Sequence, residues 1–205
     1  MAEYKISLLG DGGVGKTTFL KKAITGKFDP RYLPTLNCVT TACSIGSSSE
    51  VVKFNFYDFS GQEKVGGTRE NLAFSNVIIL MFDVTSRLTF KNIRWWYREI
   101  QKYCTNIPII LCGMKIDDCG GRKISFQEAH SFATNFNFEY CELSNKSDVT
   151  ILFKLLYKLL ISNCYVPNFT DMCRINSLTV NESRKRPYSS PLITCNSPKR
   201  TRQTT

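Results

Sequence analysis

Apolar residues follow two rhythms that alternate along the chain. Short continuous or alternating runs occur at Tyr4–Leu9, Cys38–Ile45, Val51–Tyr57, Val77–Phe82, Ile107–Leu111 and Phe138–Leu143. Between and after them lie stretches with helical spacing: Thr18–Ile24, Phe90–Tyr103 with Ile93, Tyr97 and Ile100 on one stripe, a segment from Ser125 to about Phe136, and Val149–Ile161. Short runs bounded by Gly, Pro and Asn predict strands, and the 3.6-residue spacing predicts amphipathic helices. Val77-Ile78-Ile79-Leu80-Met81-Phe82 has no polar alternate, which predicts a parallel strand buried on both faces. The runs on either side of Gly46-Ser47-Ser48-Ser49 predict a hairpin. Ser125-Phe126-Gln127-Glu128 is a capping box that opens a helix.

Strands alternating with helices at this spacing imply parallel βαβ units, an α/β fold whose ligand sites lie at the carboxyl ends of the strands. The periodicity stops near Asn163, and Ser, Thr, Pro, Asn and Arg dominate from there. We therefore expect one packed domain over residues 1–162 and a largely disordered tail over 163–205. The whole chain carries a formal charge of +10, and the tail alone holds seven Lys/Arg against two Asp/Glu. Nine cysteines are scattered without C-x-x-C spacing, which argues against a disulfide framework or a zinc site and for a reducing compartment. No apolar run reaches the length of a membrane span, the first residues lack a signal-peptide pattern, and the last lack a prenylation cysteine. A soluble protein without a membrane anchor is expected.

The carboxyl end of the first strand carries the chemistry. Gly10-Asp11-Gly12-Gly13-Val14-Gly15-Lys16-Thr17 reads G-x-x-x-x-G-K-[ST], between a strand-like run and a helix-like one. Such a glycine-rich turn aims backbone N–H groups at phosphates, with the helix's positive end behind them. Lys16 reaches the β- and γ-oxygens, and the Thr17 hydroxyl is placed to ligate Mg²⁺. Asp58-Phe59-Ser60-Gly61-Gln62 follows the third strand. Asp58 stands where a Mg²⁺-holding carboxylate is needed, Gly61 can offer an N–H to a γ-phosphate, and the neutral amide of Gln62 suits orienting an attacking water. Gly113-Met114-Lys115-Ile116-Asp117 and Leu143-Ser144-Asn145-Lys146 fall at the ends of the last two strands. The lone histidine, His130, has no partner at metal-ligand spacing and reads as a bland helix position. Trp95 and Trp96 are expected to pack their helix or to form a partner surface.

With these residues in place, the chain resembles a Ras-superfamily small GTPase over about residues 4–162, and within that superfamily it is most similar to the Ran branch. Besides the phosphate loop and Thr18-Phe19, the distinctive stretches are Gly61-Gln62-Glu63-Lys64-Val65-Gly66-Gly67-Thr68-Arg69, Met81-Phe82-Asp83-Val84-Thr85-Ser86-Arg87 and Asn106-Ile107-Pro108-Ile109-Ile110-Leu111-Cys112-Gly113. The resemblance implies a small G domain with a mostly parallel six-stranded sheet and helices on both faces, binding GTP/GDP and Mg²⁺. It further implies that residues 11–18 and Gly61 contact phosphate, and that Thr17, Thr35 and, through water, Asp58 serve the metal. Lys16 and Gln62 would be catalytic. Phe28, Lys115, Asp117, Ser144, Asn145 and Lys146 would surround guanine, with Asp117 accepting from its N1 and N2. Asp58 to about Arg69 would form the second switch, ordered by GTP and released on hydrolysis.

Several departures qualify that picture. Where the family has Asn-Lys-x-Asp, this chain has Met114-Lys115-Ile116-Asp117. Losing the amide's hydrogen bonds costs about 1–3 kcal/mol, roughly five- to 150-fold in affinity, so faster nucleotide release is expected. Asp-Thr-Ala-Gly is replaced by Asp58-Phe59-Ser60-Gly61, which we expect to place a ring and a hydroxyl beside the γ-phosphate and to slow closure. Thr-x-Gly becomes Thr35-Leu36-Asn37, and Ser-Ala-Lys becomes Ser144-Asn145-Lys146. Ran-type proteins end in an acidic tail and carry a basic patch on the helix that here reads Gln127–Asn135. This tail is instead basic, with clusters at Arg184-Lys185-Arg186 and Lys199-Arg200-Thr201-Arg202, a pattern shared with bipartite nuclear-import signals and with plain solvated ends.

Two functions follow from the sequence. The first is a GTP-binding switch with slow intrinsic hydrolysis, Ran-like, moving between nucleus and cytoplasm. Its partners would be an exchange factor, a GTPase-activating protein and Ran-type effectors. The second is a non-catalytic or fast-exchanging Ran mimic that acts as a binding module for Ran regulators or transport receptors. Contact of the tail with nucleic acid would rest on charge, since Tyr188 is the only aromatic among its two basic clusters and the spacer between them.

Overall fold

The computed structural model describes residues 2–29, 31, 34–35, 38–46, 51–61, 69–144, 146 and 150–161. The basic tail, Gln62, Leu36, Asn37 and Asn145 lie outside the described residues.

In chain order the elements are β1 (Ala2–Leu9), α1 (Lys16–Thr25), β2 (Cys38–Gly46), β3 (Val51–Phe59), a short 3₁₀ segment (Arg69–Phe74), β4 (Val77–Asp83), α2 (Arg87–Gln101), β5 (Ile109–Met114), α3 (Phe126–Asn135), β6 (Glu139–Leu143) and α4 (Thr150–Leu160). The six strands form one sheet in the order β2-β3-β1-β4-β5-β6. All neighbours are parallel except β2 and β3, which pair antiparallel from Cys38↔Phe59 to Gly46↔Val51. The hairpin and the parallel remainder match the expectation from the sequence.

The alternation of side chains across the pleat sorts the core into two layers. Ile6, Leu8, Ile79, Met81, Ile110 and Cys112 pack with Phe19 and Leu20 of α1 and with Leu152, Phe153 and Leu156 of α4. Leu9, Ile78, Leu80, Phe82 and Leu111 pack with Ile93, Trp96 and Ile100 of α2 and with Ala129 and Ala133 of α3. Every residue of β4 is buried, which accounts for its unbroken apolar run. Each fully buried Leu, Ile or Phe in these layers contributes about 1.5–3 kcal/mol over an exposed one.

Most boundaries shift by a residue or two from the sequence expectation, and the start of α2 and the end of β5 shift most. Helix α2 begins at Arg87 rather than Phe90, because the Ser86 side chain accepts from the Thr89 N–H and caps it. Strand β5 runs to Met114 rather than Leu111. Gly113 pairs with Phe82 and Glu142, and a Cβ there would lie 3.0 Å from Val84 Cγ1, so the residue without a side chain continues the strand where its neighbours crowd it. For α3 the cap is as expected, with Ser125 Oγ accepting from the Glu128 N–H at 3.1 Å.

Candidate functional site

The loops that leave the carboxyl ends of β1, β3, β5 and β6 meet around a cleft of about 740 Å³. Its lining includes Gly12, Gly13, Gly15, Lys16, Thr17 and Thr18 at one end and Lys115, Asp117 and Lys146 at the other, with Phe28, Thr35 and Gly61 between them.

At the β1–α1 loop, backbone shape is set by glycine. Gly10 holds φ +134° with its α-carbon pressed on β4, where a Cβ would lie 2.1 Å from the Met81 carbonyl oxygen. Gly15, at φ 109°, is the residue before α1 and provides no side-chain cap, so the free amides of the first helical turn face the cleft. Lys16 is only 5% exposed. Its ammonium donates to the carbonyls of Gly10 at 2.8 Å and Asp11 at 2.9 Å. Burial draws its pKa down to about 8, against the pull of the Asp58 and Asp11 carboxylates. This is a cation held by two carbonyls, which stronger anions can replace.

Beside it, Thr17 Oγ1 donates to Asp58 Oδ2 and lies 2.7 Å from Thr35 Oγ1. Asp58 is 1% exposed, and its other oxygen, Oδ1, has no hydrogen-bond partner. Burial raises its pKa despite Thr17 and Lys16. A buried carboxylate oxygen without a partner, flanked by two hydroxyls, is a hard-oxygen donor set of the kind that suits Mg²⁺. Among the described residues no three His, Cys, Asp or Glu side chains converge, so a cation here would complete its shell with ligand and water oxygens.

At the far end, Asp117 is fixed by Lys146 Nζ at 2.8 Å and by Ser144 Oγ at 2.7 Å, and Ser144 Oγ in turn accepts from the Lys146 N–H at 3.0 Å. Lys146 and then Ser144 hold the Asp117 carboxyl below the usual range, so it is an acceptor at neutral pH. Lys115 adopts φ 65° and reaches Asp83 Oδ2 at 2.7 Å. Burial would raise the pKa of Asp83, but its bonds from Lys115 and Thr85 outweigh that and lower it. The Phe28 ring, 40% exposed, borders the cleft.

The structure thus gathers most of the residues singled out in the sequence. Asp58 and Ser144 stand behind the lining as supports, Val14 is fully buried in the core, and the Asp11 carboxylate turns away toward α2. Gln62 and Asn145 are not among the described residues. One expectation is corrected: the Phe59 ring is not beside the phosphate loop but buried in the layer under α2, with Leu9 and Leu72, because its place in β3 sends it to that face. Only Ser60 of that pair lines the cleft. Met114 is fully buried, and Cys112 Sγ lies 3.5 Å from its sulfur, so the side chain at this position belongs to the core. Lys21, Asp29, Arg31 and Asp118 also line the cleft. Of these, Lys21 was legible, since it lies four residues after Thr17 on the same helical face.

Comparison with family profiles matches residues 5–162 to the Ras family. Proteins of this family are GTP-binding switches that hydrolyse GTP, and they carry the nucleotide, usually with Mg²⁺, under the control of exchange factors and GTPase-activating proteins. The match spans well over half of the chain and every loop that forms the cleft, so this chain belongs to the Ras family of small GTPases.

Proposed function

We propose that this protein is a Ran-like switch that holds GTP and GDP loosely and hydrolyses GTP slowly. The observation that carries this reading is the union, in one cleft, of a buried phosphate-facing ammonium at Lys16 and a pre-fixed carboxylate at Asp117. The backbone of Gly12, Gly13, Val14 and Gly15 takes the α- and β-phosphates, and Thr18 continues that turn. Lys16 exchanges its carbonyl partners for β- and γ-oxygens, a charge-assisted gain that offsets its desolvation. Asp117 accepts from the two neighbouring N–H donors of guanine, which adenine lacks, while Phe28 and the Lys115 stem cover the ring faces, and Asn145 would keep the backbone N–H that the family uses toward the base. Thr17, Thr35 and, through water, Asp58 would hold Mg²⁺, which would offset phosphate charge when bound. Gln62 orients the attacking water, and Gly61 gives its N–H to the γ-phosphate.

Loose binding rests on Met114. A buried thioether stands at the position of the amide that ties this loop together elsewhere in the family. The stretches around Gly61, Met81 and Asn106 support a Ran-type set of regulators and effectors, and the two basic clusters of the tail support shuttling between nucleus and cytoplasm. The same burial of Met114 favours a second reading, in which the fold is kept as a fast-exchanging binding module for Ran regulators or transport receptors.

Single-turnover GTP hydrolysis, with quantification of the nucleotide released from acid-denatured protein, separates the two. Stoichiometric guanine nucleotide, with hydrolysis lost in Gln62→Leu, supports the switch. A nucleotide-poor protein, or a rate indifferent to that substitution, supports the module.

A further inference from the structure

The side chain of Asp11 is not part of the cleft lining, and only its charge is felt there, at Lys16. Both of its oxygens are engaged on the opposite side of the phosphate loop, where Asn92 donates through Nδ2 to Oδ2 at 2.6 Å and Trp96 donates through Nε1 to Oδ1 at 2.8 Å. Asn92 and Trp96 are four residues apart on α2 and so share one face of that helix. Trp96 is 3% exposed and packs edge-on against Trp95, with ring centroids 5.0 Å apart.

The backbone of the same residue is held as closely. The Asp11 carbonyl accepts from Lys16 Nζ, and Gly61 lies so near that a Cβ on it would fall 2.3 Å from the Asp11 carbonyl carbon. Immediately before it, Gly10 is pressed against β4. An anionic side chain one residue before a phosphate cradle would repel the ligand if it turned inward. Two donors on α2 turn it outward and satisfy it there.

We propose that Asp11, Asn92 and Trp96 are positioning residues: they clamp the phosphate loop to α2, so that the carbonyls of residues 10 and 11 present Lys16, and the amides of residues 12–15 face the phosphates, before nucleotide arrives. Opening the clamp releases the loop and turns a negative charge toward the phosphates, and nucleotide leaves faster. The inference rests on the nucleotide-binding reading above, but one of its tests needs no nucleotide.

The experiment uses the full chain and fluorescent GDP. Asp11→Ala and Trp96→Phe each accelerate release about tenfold or more, the range set by losing a hydrogen bond to a charged group. Exchanging the two polar groups, Asp11→Asn with Asn92→Asp, keeps an amide donating to a carboxylate and an acceptor for the indole, and returns release to within about threefold of wild type. The chain has two tryptophans, so Trp95→Phe leaves Trp96 as the sole tryptophan, read by excitation at the red edge where the tyrosines do not absorb. In that background and without nucleotide, adding Asp11→Ala shifts the Trp96 emission maximum. Release rates unchanged in both single variants, or a swap as fast as Asp11→Ala, overturn the clamp. So does a Trp96 emission indifferent to Asp11. A wild-type protein that binds no GDP would refute the proposed function instead, and the emission measurement would still decide whether the clamp exists.

Discussion

Lys16 ties together two pH dependences of opposite sign. In the folded protein burial lowers its pKa to about 8 from a value of 10.5 in the open chain. Between those values the unfolded chain binds this proton more tightly than the folded one, so the contribution of Lys16 to stability without nucleotide rises with pH, against the thiols of Cys43, Cys104 and Cys112, whose raised pKa values act the other way. The penalty is complete below the folded value and gone above the unfolded one, and the difference amounts to about 3 kcal/mol. About 1 kcal/mol of it is recovered between about pH 7 and pH 9. Nucleotide phosphates restore the charge on Lys16, so affinity moves the other way and falls about tenfold over the same interval, following the fraction of free protein still protonated there. Urea unfolding of nucleotide-free protein across this range, beside fluorescent-GDP affinity, measures both. Lys16→Met removes the buried ammonium and should flatten the stability slope. If wild type and Lys16→Met gain stability equally as pH rises, the buried ammonium is not its source and the reasoning fails.

Two further outcomes follow from packing. Gly61→Ala places a methyl group 2.2 Å from the Gly12 nitrogen and 2.6 Å from the Asp11 carbonyl oxygen, both backbone atoms that cannot rotate aside. GTP hydrolysis in single turnover should drop about tenfold or more, since a displacement of the reacting groups by about 1 Å costs more than that; an unchanged rate would mean that this contact opens freely. Met114→Asn puts an amide into a core position and should lower unfolding stability without nucleotide by about 1–3 kcal/mol. It should also slow GDP release about tenfold as the amide gains partners in the loaded site. A release rate that does not change would remove Met114 as the cause of the loose binding we propose.

The fold was legible because its signals are local and repeated. The buried run Val77–Phe82, the Ser125 cap and the hairpin around Gly46 each report their own neighbourhood, and the structure places all three as their chemistry requires. The phosphate loop was legible for the same reason, since its glycines and Lys16 are contiguous. What escaped was whatever depended on where a side chain points after the sheet assembles. Phe59 looked like a neighbour of the phosphates by its place in the chain, yet β3 sends its ring into the α2 layer. Asp11 looked like one more loop residue, and only the approach of α2 shows that its carboxylate belongs to Asn92 and Trp96. Asp83, which anchors Lys115, sits at the end of a strand far from Lys115 in sequence.

The order of the strands has a thermodynamic consequence of its own. The phosphate end of the cleft is built on β1 and β3, and the base end on β5 and β6, while the two halves of the sheet join through the pairing of β1 with β4, which runs only from Ile6↔Val77 to Leu9↔Leu80. A nucleotide lying along the cleft therefore bridges that seam as a removable staple. At a thousandfold excess over its dissociation constant it adds about 4 kcal/mol to the stability of the folded state. If binding is as loose as proposed, that margin follows the surrounding nucleotide concentration, and resistance to unfolding would rise and fall with the guanine nucleotide supplied.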